Sequence, residues 1–178
     1  MRQSIGWLAA VISSGVVLAA CGGSASRHQA GDTRIRLDQS IGGVALREHR
    51  SDVERELGHG EVLRTEDQQP PEPRLHFERV LYQNGLEVGY VSRSASSRSR
   101  AQGQVVYLLT HSPRFRTSEG VHVGSSAAEL QTIRDVTCGN VLGLDCQHGG
   151  HVHNEPGTFF KLSGPGGAVA RIAIAFSD

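Results

Sequence analysis

Leu75-His76-Phe77-Glu78-Arg79-Val80-Leu81-Tyr82-Gln83-Asn84-Gly85-Leu86-Glu87-Val88-Gly89-Tyr90-Val91-Ser92-Arg93 reads as two strands that meet at Asn84-Gly85. Asn-Gly supplies the left-handed backbone a two-residue hairpin turn demands, so residues 75–83 and 86–93 are expected to pair antiparallel. Leu86, Val88 and Tyr90 alternate with Glu87 and Gly89, and that period of two puts one set inside and the other outside. Glu78 and Glu87 fall on opposite sides of the hairpin and read as solvent-facing charges.

Similar signals extend outward in both directions. Residues 68–73 hold three prolines and read as a loop, and residues 92–102, rich in serine and arginine, as a mobile connection. Gly103-Gln104-Val105-Val106-Tyr107-Leu108 opens the next strand. Residues 158–163 and 168–177 form a second hairpin around Gly164-Pro165-Gly166-Gly167, with Ile172, Ile174 and Phe176 on one side and Arg171, Ala173 and Ala175 on the other.

Ahead of each hairpin region stands one copy of a weak repeat, offset by 77 residues. The first is Gly43-Val44-Ala45-Leu46-Arg47-Glu48-His49-Arg50-Ser51-Asp52-Val53, the second Gly120-Val121-His122-Val123-Gly124-Ser125-Ser126-Ala127-Ala128-Glu129-Leu130. Each predicts a strand, a polar turn and a short helix. In the second copy Ser126 and Glu129 have the spacing of a capping box, and Leu130 and Ile133 share one helical face. In the first, His49 takes the cap position, Val53 and Leu57 make the apolar stripe, and Gly58 stops the helix. The expectation is an α+β fold: two tandem helix-plus-antiparallel-meander units sharing one sheet, at about residues 41–110 and 118–176 of a domain spanning 35–178.

The length of 178 residues suits one domain. Its 18 basic and 18 acidic residues cancel, which gives no electrostatic reason to expect nucleic acid as a partner. Lys161 is the lone lysine among the basic residues, a bias of composition rather than function.

Met1-Arg2-Gln3-Ser4 is a short positive start, followed by sixteen uncharged residues from Ile5 to Ala20. That run is short of the ~20 residues a membrane-spanning helix needs and suits the apolar core of a secretory signal. It ends Leu18-Ala19-Ala20-Cys21, which resembles the lipobox of bacterial lipoproteins. The resemblance implies a signal peptide over residues 1–20, cleavage before Cys21, and fatty acylation (diacylglycerol, palmitate) of that cysteine. Cleavage would remove Arg2 alone among the charged residues and leave a net charge of −1. Residues 21–34 would then be a flexible tether.

The order of apolar strand, glycine, serine and acid-aliphatic helix over residues 41–176 resembles the SmpA/OmlA (BamE-like) lipoproteins of the outer-membrane assembly machine. It is similar, too, to the β-lactamase inhibitor protein, whose tandem units present a concave sheet face rich in aromatics. Arg47 stands where the pattern has a turn glycine, and the second copy lacks the Leu-Gly stop. The candidates for such a face here are Tyr82, Tyr90, Tyr107, Phe159 and Phe160, few enough to weigh against inhibition.

With Cys21 acylated, Cys138 and Cys146 form an even pair in a loop-like segment, expected to oxidise outside the cytoplasm. His148, His151 and His153 follow, with Asp145 and Glu155 nearby. They are weak candidates for a zinc or copper site, and a solvated glycine-flanked loop is the simpler reading. Gly124-Ser125-Ser126-Ala127 fails the nucleophile-elbow pattern, and neither a phosphate-cradling loop nor a zinc-peptidase helix occurs. The expectation is a lipoprotein on the envelope face of a membrane that works without cofactor or catalysis, as a binding or scaffolding module for an envelope protein. Its rivals are an inhibitor of a secreted or envelope hydrolase, and a metal-binding protein using the histidine loop.

Overall fold

The computed structural model describes residues 31–68, 75–141, 144–164 and 166–177. The proposed signal peptide, Cys21, most of the tether and much of the proline loop lie outside them. Among the described residues no helix is long and apolar enough to cross a membrane.

The chain is mostly β. Three two-residue strands, β1 (Ile35–Arg36), β2 (Ser40–Ile41) and β3 (Val44–Ala45), form a small sheet. The large sheet takes β4 (Glu61–Asp67), β5 (His76–Leu81), β6 (Leu86–Ser92), β7 (Gln104–Thr110), β8 (Thr137–Val141), β9 (Leu144–Gly149), β10 (Pro156–Leu162) and β11 (Val169–Phe176). Its eight strands run in the order β4-β5-β6-β7-β11-β10-β9-β8, each antiparallel to its neighbour. Each half is a four-strand meander, and the last strand of each meets at the centre, where Leu108 faces Ile174.

The α+β expectation of helix-plus-meander units is therefore corrected. Among the described residues strand makes up 43% against 13% helix, and the helices there are α1 (Arg50–Leu57), α2 (Ser97–Ala101) and α3 (Ala127–Leu130). None is long enough to form a layer. α1 buries Val53 and Arg50, α3 buries Leu130, and α2 buries nothing. A helix this short gains little from its own hydrogen bonds and rests on tertiary packing. Most of the sheet's cover is consequently small strand and loop, through Ile35, Ile41, Val44, Phe115 and Val121.

Several local readings also change. The Asn84-Gly85 turn closes as a three-residue loop over Gln83, Asn84 and Gly85: the Tyr82 N–H donates to Leu86 O at 2.9 Å and Gly85 takes φ +83°. α2 forms inside the stretch expected to be mobile, started by Ser96, whose hydroxyl accepts from the Ser99 N–H at 3.3 Å. Strands β4, β8 and β9 had no counterpart in the sequence reading. In the second repeat copy Val121 is buried in a turn-rich segment rather than in a strand. The capping box of Ser126 and Glu129 does form. His49 starts α1 without a side-chain cap, and its Nδ1 lies 3.1 Å from Gln102 O instead.

Candidate functional site

Directly opposite residues of an antiparallel pair point to the same face, so the register sorts the large sheet into two faces. One carries Val80, Leu86, Val88, Tyr90, Val105, Leu108, Phe160, Ile172 and Ile174, all in the core cluster. The small sheet and the helices lie on this side, as Val44, Val53 and Leu130 share that core. Tyr82, Tyr90 and Phe160 belong to it too, so three of the five aromatics expected on a binding face are interior. The Tyr82 and Tyr90 hydroxyls bond each other at 2.7 Å, which satisfies two polar groups that burial would otherwise penalise.

The other face carries Phe77, Arg79 and Leu81 on β5, Glu87, Gly89 and Val91 on β6, Tyr107 and Leu109 on β7, Ala173 and Ala175 on β11, and Phe159 on β10. Among the described residues the packing elements just named go to the opposite side, and this face holds half-buried side chains around the buried Glu87, Gly89 and Leu109. Phe77, Tyr107 and Phe159 are each half-buried. Tyr107 and Phe159 were expected on such a face; Phe77 was not.

An ion pair organises its centre. Arg79 Nε donates to Glu87 Oε1 at 2.8 Å, and the Tyr107 hydroxyl donates to the same oxygen. Glu87 is only 7% exposed. Burial pushes the Tyr107 phenol well above its ordinary value, and the neighbouring Glu87 carboxylate adds to the rise. Arg64, Phe77, Arg79, Gly89, Val106 and Tyr107 line a shallow cavity of about 150 Å³. Apolar rings around a fixed polar centre suit the docking of a protein segment.

Under the sheet lies a second charged cluster. Glu78, read from the sequence as a solvent-facing charge, is 4% exposed and sits on the core face. Arg50 Nη1 pairs with Glu78 Oε2, Arg100 Nη2 reaches Oε1 at 2.8 Å, and His76 Nε2 stands 3.5 Å away. His76 Nδ1 lies 2.7 Å from Asp67 Oδ1, and Arg50 Nε donates to Glu54 at 2.6 Å. Burial works to raise the Glu78 carboxyl, and the Arg100 and Arg50 contacts outweigh it and hold it below the usual range. The cluster ties α1 and α2 to the first meander, and its charges are spent on one another.

The histidine segment does not converge. His148 lies on β9, and its Nδ1 is 2.7 Å from Asp38 Oδ2, while Thr158 Oγ1 donates to Asp38 Oδ1 at 2.8 Å. His151 and His153 are exposed in the following loop. Among the described residues no group of three or more His, Cys, Asp or Glu side chains could hold a metal ion. The segment read as a loop around the cysteines is the β8–β9 hairpin, with Cys138 and Cys146 directly opposite. Their sulfurs are at disulfide-bonding distance, 2.08 Å.

No known protein family, curated protein or solved structure matches this chain.

Proposed function

We propose that the chain is an exported lipoprotein, anchored through lipid on Cys21, whose domain acts as a non-catalytic binding or scaffolding module for an envelope protein. The observation that carries the binding role is the sheet face opposite the core, with half-buried Phe77, Tyr107 and Phe159 around the Arg79–Glu87 pair. Aromatic rings and a held arginine are the residue types that dominate interface energetics. Met1 to Cys21 supports the anchor through its sequence alone.

The test combines mass spectrometry of the mature N-terminus with in-cell cross-linking from that sheet face. Acylated Cys21 and a recurrent cross-linked protein, lost in Phe159→Arg, are expected. A bare N-terminus removes the anchor, and cross-links unchanged by Phe159→Arg remove the face.

The second reading is inhibition of a secreted or envelope hydrolase, against which the inward placement of Tyr82, Tyr90 and Phe160 weighs. Titrating the chain against such hydrolases would show stoichiometric loss of activity that Phe159→Arg abolishes. Full activity at excess chain ends that reading.

A further inference from the structure

The large sheet has two edges of different character. β8 is a five-residue strand whose pairing with β9 is irregular and pinned by Cys138 and Cys146. β4 is a seven-residue strand with every residue exposed, including Val62 at 40% and Leu63 at 44%. It pairs with β5 on one side, and among the described residues no strand takes the other. Such an edge offers a row of unpaired N–H and C=O groups to any strand that fits.

We propose that this edge pairs antiparallel with the same edge of a second copy of the chain, in the register that sets Thr65 opposite Thr65. Past the bulge between Val62 and Arg64 the strand is regular through Asp67. Residues directly opposite share a face, so a two-fold pairing of identical strands must be centred on a residue. Centring on Arg64 stacks two arginines, and centring on Glu66 stacks two glutamates. Like charges directly opposite destabilise a pair. Centring on Thr65 instead makes two facing pairs of Arg64 with the other copy's Glu66, and sets the two threonines opposite each other on the other face of the sheet. The charges that block most pairings of this edge thus favour one.

Arg64 and Glu66 already pair within the strand, with side chains 63% and 54% exposed. An exposed pair contributes little, so exchanging the two intrastrand pairs for two across the edge costs little, and the backbone hydrogen bonds are gained. The two-fold axis stands perpendicular to the sheet. It joins the two eight-stranded sheets with the faces opposite the core on the same side, so the assembly doubles the docking face without covering it.

Disulfide trapping tests the register. Directly opposite residues have Cα atoms about 4.5–5.5 Å apart, within reach of a disulfide. The full chain carrying Thr65→Cys should give a covalent dimer on mild oxidation, above the level of the unsubstituted chain, and Glu61→Cys should not. Adding Arg64→Glu or Glu66→Arg to Thr65→Cys should each remove the dimer. Mixing those two chains should restore it, because every facing pair is then opposite in sign. A Thr65→Cys chain that stays monomeric, or single charge variants that dimerise as well as their mixture, would overturn the pairing.

Discussion

The Tyr107 ring lies across Gly89, its partner in register on the neighbouring strand, so closely that a Cβ on Gly89 would stand 2.1 Å from two ring carbons. The glycine leaves the space in which the ring lies flat, and from there the hydroxyl reaches Glu87. Gly89→Ala is therefore expected to lift the ring, break that hydrogen bond and destabilise the chain by about 1–3 kcal/mol, the usual cost of overpacking. Thermal or urea unfolding measures the loss. An alanine variant as stable as the parent would show that the ring shifts without consequence.

Tyr107→Phe keeps the ring and removes the donor. Glu87 retains Arg79, so the loss should fall at the lower end of the about 1.5–3 kcal/mol typical of a hydrogen bond to a charged group. Comparing its urea midpoint with that of Gly89→Ala separates packing from hydrogen bonding.

Arg50 is a buried charge with two carboxylate partners, Glu54 and Glu78, and lies 5.4 Å above the Tyr90 ring. Arg50→Met should destabilise by about 3 kcal/mol, the low end for breaking a buried pair, since Arg100 still faces Glu78. Glu78→Gln in the same background should recover part of the loss, because the carboxylate left short of a partner is then neutral. A double variant no more stable than Arg50→Met would refute the coupling.

Stability should fall at both ends of the pH range for opposite reasons. The Glu78 carboxyl is held below its ordinary value, so its contribution is full above the unfolded-state value and disappears as pH falls through the lower folded one. Burial pushes the Tyr82 phenol up to about 12. Its contribution is full below the unfolded value of 10.0 and is lost as pH rises from there toward about 12. Unfolding across pH should show acid loss softened in Glu78→Gln and alkaline loss softened in Tyr82→Phe, with each substitution leaving the other limb in place.

Reducing the Cys138–Cys146 pair should cost about 2.5 kcal/mol in the chain-entropy model. The measurement is the unfolding midpoint with and without reductant, set against Cys138→Ser with Cys146→Ser. If the midpoints coincide in all three, the cross-link contributes nothing.

How much was legible follows from the range of each interaction. The hairpin at Asn84-Gly85, the box of Ser126 and Glu129 and the stop at Gly58 could be read in advance, because each is settled within a few residues by turn geometry or hydrogen bonding, whereas the cysteine pair was read from its even count in an exported chain. Phe77 was legible in principle, as it alternates with Val80's side of β5, but Glu78 and His76 disguised which side was interior. A polar residue in an inward position reads as surface until its partner is known, and the partners Arg50 and Arg100 come from two different helices.

The amino-acid order alone thus determined the local breaks, caps and strand alternation, and it carries the whole case for acylation at Cys21, which lies outside the described residues. Only the tertiary structure decided that β7 and β11 join the two meanders, that Glu78 and Glu87 are buried on opposite faces, and that Tyr82, Tyr90 and Phe160 face inward while Tyr107 and Phe159 do not. The reason is that strand order and face depend on contacts between residues far apart along the chain, and periodicity separates two faces without saying which one will be covered.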